Sequence, residues 1–167
     1  MSKVETFDDL FRHELSDLYN AEKQLTKALP KMAKAATDPK LKKGFEKHLE
    51  ETEGQIEILD QVFELCDIKP ERITCEAMKG LIEEGSEAID EIEEGPLLDC
   101  ALIIAAQKVE HYEIAGYGSM CTLAENMGLT EAKNLLGKIL EQEKATDEKL
   151  TQLASTVNQQ AMAQAAE

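Results

Sequence analysis

The chain has 167 residues, 43% of them hydrophobic, which is enough to bury a core in a single domain spanning 1–167. Its 34 acidic residues against 18 basic ones give a formal net charge of -16, which argues against binding to nucleic acid or an anionic membrane surface, both of which need clustered Lys and Arg. Aromatic residues make up only 4%, and a wealth of Ala, Leu, Glu, Lys and Gln predicts an all-α protein.

The first helix is expected to start at Thr6, a good cap, with Asp8 and Asp9 meeting the positive helix end. Its stripe runs Leu15, Leu18, Glu22, Leu25, Leu29, Met32, with Glu22 where the pattern asks for Leu, and Pro30 is a candidate bend. Thr37-Asp38-Pro39 is the break, a cap followed by a first-turn proline. The second helix carries Leu41, Phe45, His48, Glu51, Gln55, Ile58, Val62 and Leu65 on one face, polar at its centre and apolar at both ends, and closes between Cys66 and Pro70. A crossover from about 67 to 95 holds an extra acidic helix, roughly 75–94, which reads as a solvated surface element with a weak stripe through Met78, Leu81, Ile82, Ala88, Ile89 and Ile92.

The third helix starts at Pro96 and stops at Gly128. Its stripe, Ile103, Ala106, Glu110, Glu113, Tyr117, Met120, Ala124, Met127, places two carboxylates one turn apart on the buried face. The fourth, with Thr130 as its cap, follows Ala132, Leu136, Ile139, Glu143, Thr146, Leu150, Leu153, Val157, and has Asp147 one turn beyond Glu143 on the adjacent edge. Past about residue 158 the apolar spacing is lost, so the tail 158–167 is expected to fray.

Four cysteines, Cys66, Cys75, Cys100 and Cys121, form no C-x-x-C pair and read as free thiols, not a zinc ribbon or a disulfide framework. With the polar start Met1-Ser2-Lys3-Val4-Glu5, they place the chain in a reducing cytoplasm. The longest near-apolar run, Pro96 to Ala106, is broken by Asp99 and falls short of a membrane span.

Glu22 and Glu51 lie about 15 and 13 residues either side of the Asp38 turn, and Glu113 and Glu143 each about 15 residues from Gly128, so all four sit roughly 20 Å up their arms. Four helices thus deliver four to six carboxylates to one layer. Taken singly, each acid could reach solvent or pair with Lys27, Lys108 or Lys144; four at one height favour a metal pair, iron or manganese ahead of calcium or magnesium. The crossover, long enough to travel about 40 Å as a helix, favours parallel second and third helices.

These residues are similar to the di-iron carboxylate arrangement of ferritin-like proteins. At whole-chain level the sequence resembles the bacterial YciF and YciE family of stress-response proteins, through Leu15-Ser16-Asp17-Leu18-Tyr19-Asn20-Ala21-Glu22, His48-Leu49-Glu50-Glu51-Thr52, Gln107-Lys108-Val109-Glu110-His111-Tyr112-Glu113 and Glu143-Lys144-Ala145-Thr146-Asp147. The resemblance implies a ferritin-like, rubrerythrin-like four-helix bundle, often dimeric, binding two iron (or manganese) ions per chain. It makes Glu22 a terminal ligand, Glu51 a bridging one, Glu110 and Glu113 a pair, and Glu143 the last carboxylate. The chain departs from the ferritin-like pattern where a His is usual three residues after the second-helix Glu: Gly54 stands there, while His48 precedes Glu51 by three. The fourth helix also lacks its His and offers Thr146 and Asp147. His48, Gln55, Asp147 and Tyr117 are candidates for a ligand or for a group that orients one.

Two functions follow from the resemblance. One is a non-haem di-iron oxidoreductase of the stress response that oxidises Fe(II) with peroxide or oxygen; lacking a rubredoxin-type cysteine cluster, it would need a separate electron donor. The other is a stress-induced structural or binding bundle whose metal is redox-silent. A homodimer would have apolar surface available at Phe7, Leu10, Phe11 and the crossover helix.

Overall fold

A computed structural model describes residues 3–165. Five helices follow one another: α1 Phe7–Ala35, α2 Pro39–Leu65, α3 Glu76–Glu91, α4 Pro96–Asn126 and α5 Thr130–Gln164. The first begins as its sequence dictates. The Thr6 side chain accepts from the Asp9 backbone at 3.1 Å while Asp9 reaches back to the Thr6 backbone at 3.2 Å, a reciprocal capping box. Pro30 lies inside α1, which continues through it to Ala35. Asp38 caps α2 by accepting from Lys40 and Leu41, both at 2.9 Å, with Pro39 in the first turn.

Contacts between helices fix the directions. Thr37, just past the end of α1, meets Asp99 at the start of α4, and Glu22 meets Tyr117, so α1 and α4 are antiparallel. Since the short turn at 36–38 makes α1 and α2 antiparallel, α2 and α4 run parallel, and only the 66–95 crossover can join them. This is a four-helix bundle with one long connection, the connectivity found in ferritin-like bundles.

The apolar core is divided in two. One half holds Leu25, Leu29, Leu41, Phe45, Leu102, Ile103 and Leu150; the other holds Phe11, Leu15, Leu59, Phe63, Tyr117, Leu136 and Ile139. Between them every one of the four long helices turns polar while remaining buried: Glu22 on α1, His48, Thr52 and Gln55 on α2, Glu110 and Glu113 on α4, Glu143 and Thr146 on α5.

Four local expectations need correction. Thr130 does not cap α5: it is the first helical residue, Leu129 stands at the cap without a side-chain bond, and the chain turns through Gly128 at φ +72. The reason is the tight closure of α4, in which the Leu129 N–H returns to the Ala124 carbonyl at 2.8 Å and leaves no extended residue for Thr130 to occupy. The crossover helix is not merely a solvated element; Met78 and its cap Cys75 are fully buried, and Leu81, Ile82 and Ile89 pack on the core. Phe11 belongs to the core at 2% exposure, whereas Phe7 is 63% exposed. Residues expected to fray, from 158 on, remain helical to Gln164 although exposed apart from half-buried Ala161; residues 166 and 167 lie outside the described residues.

Candidate metal centre

Glu22, Glu110, Glu113 and Glu143 are each 0% exposed. Among the described residues no Lys or Arg pairs with any of them. Lys108 binds Glu84 at 2.6 Å and Lys144 binds Glu141 at 2.9 Å, both on the surface. Among the described residues the only basic side chain in the layer is His48, whose Nδ1 is 3.3 Å from Glu110 and whose Nε2 is 3.7 Å from Glu143. His48, Glu110, Glu113 and Glu143 each offer a ligand atom within 4.8 Å of the others, a set that can hold a metal ion. Glu22 flanks this set, accepting a hydrogen bond from the buried Tyr117 hydroxyl.

Crowding and burial perturb these acids. Burial, then the charge of Glu143, pushes the Glu22 carboxyl up to about 8. Burial drives Glu110 and Glu113 well above the usual carboxylate range, followed by the charge of Glu143 for Glu110 and of Glu22 for Glu113. Tyr117 is likewise held protonated, by burial first and then by Glu22. These are the directions expected for like charges confined in low dielectric without a counter-ion.

Around this centre the remaining candidates take different positions. Gln55 is buried and donates through Nε2 to Glu143 and, at 3.1 Å, to Gln142, which orients the Glu143 carboxylate. Glu51 stays at the edge: its side chain is 21% exposed, pairs with Lys47 at 3.0 Å and approaches the Thr146 hydroxyl at 3.5 Å. Asp147 is turned to the outer surface, accepting from Gln107 at 3.2 Å and lying 3.1 Å from the exposed His111. The reason Glu51 lies outward is register. The buried line of α2 runs Leu41, Phe45, His48, Thr52, Gln55, Leu59, Val62, alternating steps of four and three, and so passes through Thr52 beside Glu51. Thr52, wholly buried with an unpartnered hydroxyl, is the member of the layer that stripe counting missed, and only a steady alternation of steps from Leu41 would have found it.

Whether these residues suit a cation can be tested on unmet polar atoms. Among the described residues, nine buried side-chain nitrogen and oxygen atoms have no hydrogen-bond partner, and they belong to Glu22, His48, Thr52, Gln55, Glu110, Glu113 and Glu143. Every one lies in this layer. Native interiors leave few such groups, so their concentration at one point, dominated by carboxylate oxygens with one imidazole nitrogen, fits metal coordination.

The family described as a domain of unknown function, DUF892, matches residues 6–163. Protein YciF of Escherichia coli K12 is 55% identical over 160 residues, covering 95% of this chain and 96% of YciF. The crystal structure of that E. coli stress protein superposes with a TM-score of 0.91 at 54% identity, over 93% of this chain and 99% of the other. YcfI of Rhodopseudomonas palustris superposes at 0.87 with 46% identity, over 90% and 96%. An all-helical bundle, the same length and more than half of the residues in common with YciF leave one assignment: the chain belongs to the DUF892 family, with the stress protein YciF.

Proposed function

We propose that this protein is a di-metal carboxylate protein of the bacterial stress response, holding two iron (or manganese) ions and oxidising Fe(II) at the expense of peroxide or oxygen. One observation carries the reading: all nine unpartnered buried polar side-chain atoms among the described residues converge on one layer. Charge is in keeping with two ions. The four wholly buried glutamates carry -4 when ionised, which two divalent ions neutralise and one does not. Leaving even one such charge uncompensated costs several kcal/mol.

Glu110, Glu113 and Glu143 with His48 would hold one part of the pair and Glu22 the adjoining part, with Glu51 reached from the edge. A mostly oxygen donor set with a single imidazole suits iron or manganese over zinc or copper. When bound as Fe(II), such ions supply electrons to an oxidant. The chain's own side chains do the rest: Tyr117 fixes one Glu22 oxygen by donating to it, and Gln55 fixes Glu143. The apolar halves on either side exclude water from the layer. Free thiols at all four cysteines are in keeping with a cytoplasmic location, and among the described residues no helix is long and apolar enough to cross a membrane. A homodimer and a separate electron donor complete the proposal.

The test is to load the chain with Fe(II) without air and mix it with peroxide or with oxygen. Rapid loss of two Fe(II) per peroxide, slowed at least a hundredfold by Glu113→Gln, is expected. A second reading, a bundle held together by a redox-silent metal, draws on YcfI, which carries a provisional description as a structural protein. It predicts that Glu51→Gln with Glu113→Gln unfolds the chain while the wild type oxidises Fe(II) no faster than buffer.

A further inference from the structure

A cavity of about 240 Å³ opens between α1, α3 and α4. Leu25, Met32, Ile82, Ile89 and Val109 supply apolar wall, and no carboxylate lines it. In a chain with 34 acidic residues that absence is selective, because α3 itself is crowded with glutamates. Charge at the rim comes instead from Lys27 and Lys31, one turn apart on α1 and both exposed. Among the described residues neither forms an ion pair; the lysines that do are Lys47, Lys79, Lys108, Lys133 and Lys144. From Lys23 to Lys34, α1 carries four lysines and no acid.

Apolar walls with two unneutralised ammonium groups at the mouth complement a molecule with an aliphatic body and one anionic head. A cavity of about 150 Å³ accommodates benzene, so this one takes an unbranched chain of roughly eight carbons. The geometry points to a binding site for a medium-chain aliphatic monocarboxylate, its tail between Ile82 and Val109 and its carboxylate at Lys27 and Lys31. None of the residues of the carboxylate layer lines the cavity, so the site stands whether or not the chain binds metal.

The experiment is a calorimetric titration of the full chain with octanoate, with 1-octanol as the uncharged control. Methyl NMR would follow Ile82, Ile89 and Val109 against Ile139 in the far half of the core. Saturable binding of one octanoate per chain is expected, with shifts confined to the cavity methyls. The surface variant Lys27→Glu with Lys31→Glu should weaken octanoate about tenfold and leave octanol unchanged, while Ala105→Leu, which fills the cavity, should weaken both. Absence of saturable binding, equal affinity for octanol, indifference to the lysine changes, or shifts centred on Ile139 would each overturn the site. So would a dimer broken by the lysine changes, which would assign this face to a second copy of the chain.

Discussion

Glu113 shows how a residue that is unfavourable for the fold can be well placed to hold a metal ion. Both of its oxygens are buried without a partner, and Glu22, Glu110 and Glu143 all repel its charge. In the metal-free chain, Glu113→Gln removes that repulsion and is expected to raise stability at pH 8 by about 1–3 kcal/mol, read from denaturant midpoints. In the presence of metal the same change should weaken binding by at least tenfold; stabilisation with unchanged metal affinity would remove Glu113 from the centre. Tyr117→Phe probes the opposite sign. It deprives Glu22 of its donor and should cost the metal-free chain about 1–3 kcal/mol. Stripe counting reached Glu22, Glu110, Glu113 and Glu143 because an acid in a leucine position is conspicuous. It could not reach Thr52, because a threonine among acids and glutamines raises no flag, and it placed Glu51 centrally because a one-residue drift over three turns is below what spacing resolves.

At the level of the elements, Asp99 fixes the turn between α1 and α2. Its buried carboxylate accepts from the Thr37 N–H at 2.8 Å, the Asp38 N–H at 2.9 Å and the Thr37 hydroxyl, locking the α1–α2 turn onto the start of α4. In the sequence Asp99 looked only like an interruption of an apolar run, since its partners lie about sixty residues away. Asp99→Ala leaves two backbone donors without their acceptor and should lower stability by about 2–4 kcal/mol, with the midpoint shifting at constant denaturant slope. Helix limits were legible where a local chemical signal wrote them, as at Thr6 and Pro39. They were misread at Thr130, where backbone closure past Gly128 decided the boundary and the side chain did not.

On the scale of the whole molecule, a bundle that splits its apolar core with a carboxylate layer couples its stability to pH, and is expected to couple it to any cation the layer binds. The Glu22 carboxyl sits near 8 in the folded chain against an ordinary value of 4.5, so the folded state binds the proton more tightly. Its contribution is therefore fully present below about 4.5 and lost as pH rises towards 8, a loss on the order of several kcal/mol. Glu110 and Glu113 act in the same direction. The melting temperature of the metal-free chain is expected to fall steadily from pH 5 to pH 8 and that of the loaded chain to stay level or rise; parallel curves would show that metal does not neutralise these acids. The heights of the acids on four stripes showed that four helices share one layer but would suit either direction of α2 and α4; their parallel arrangement was legible from the length of the crossover, which follows from helix geometry. The lysine-rimmed cavity was not, since it depends on how closely α3 packs against α1 and α4.

The most direct measurement is an anaerobic titration of the metal-stripped chain with Fe(II), followed by calorimetry. The proposed di-metal centre predicts a break at two ions per chain, weakened or lost in Glu113→Gln. No binding, or a break at a single ion, would contradict the di-metal centre.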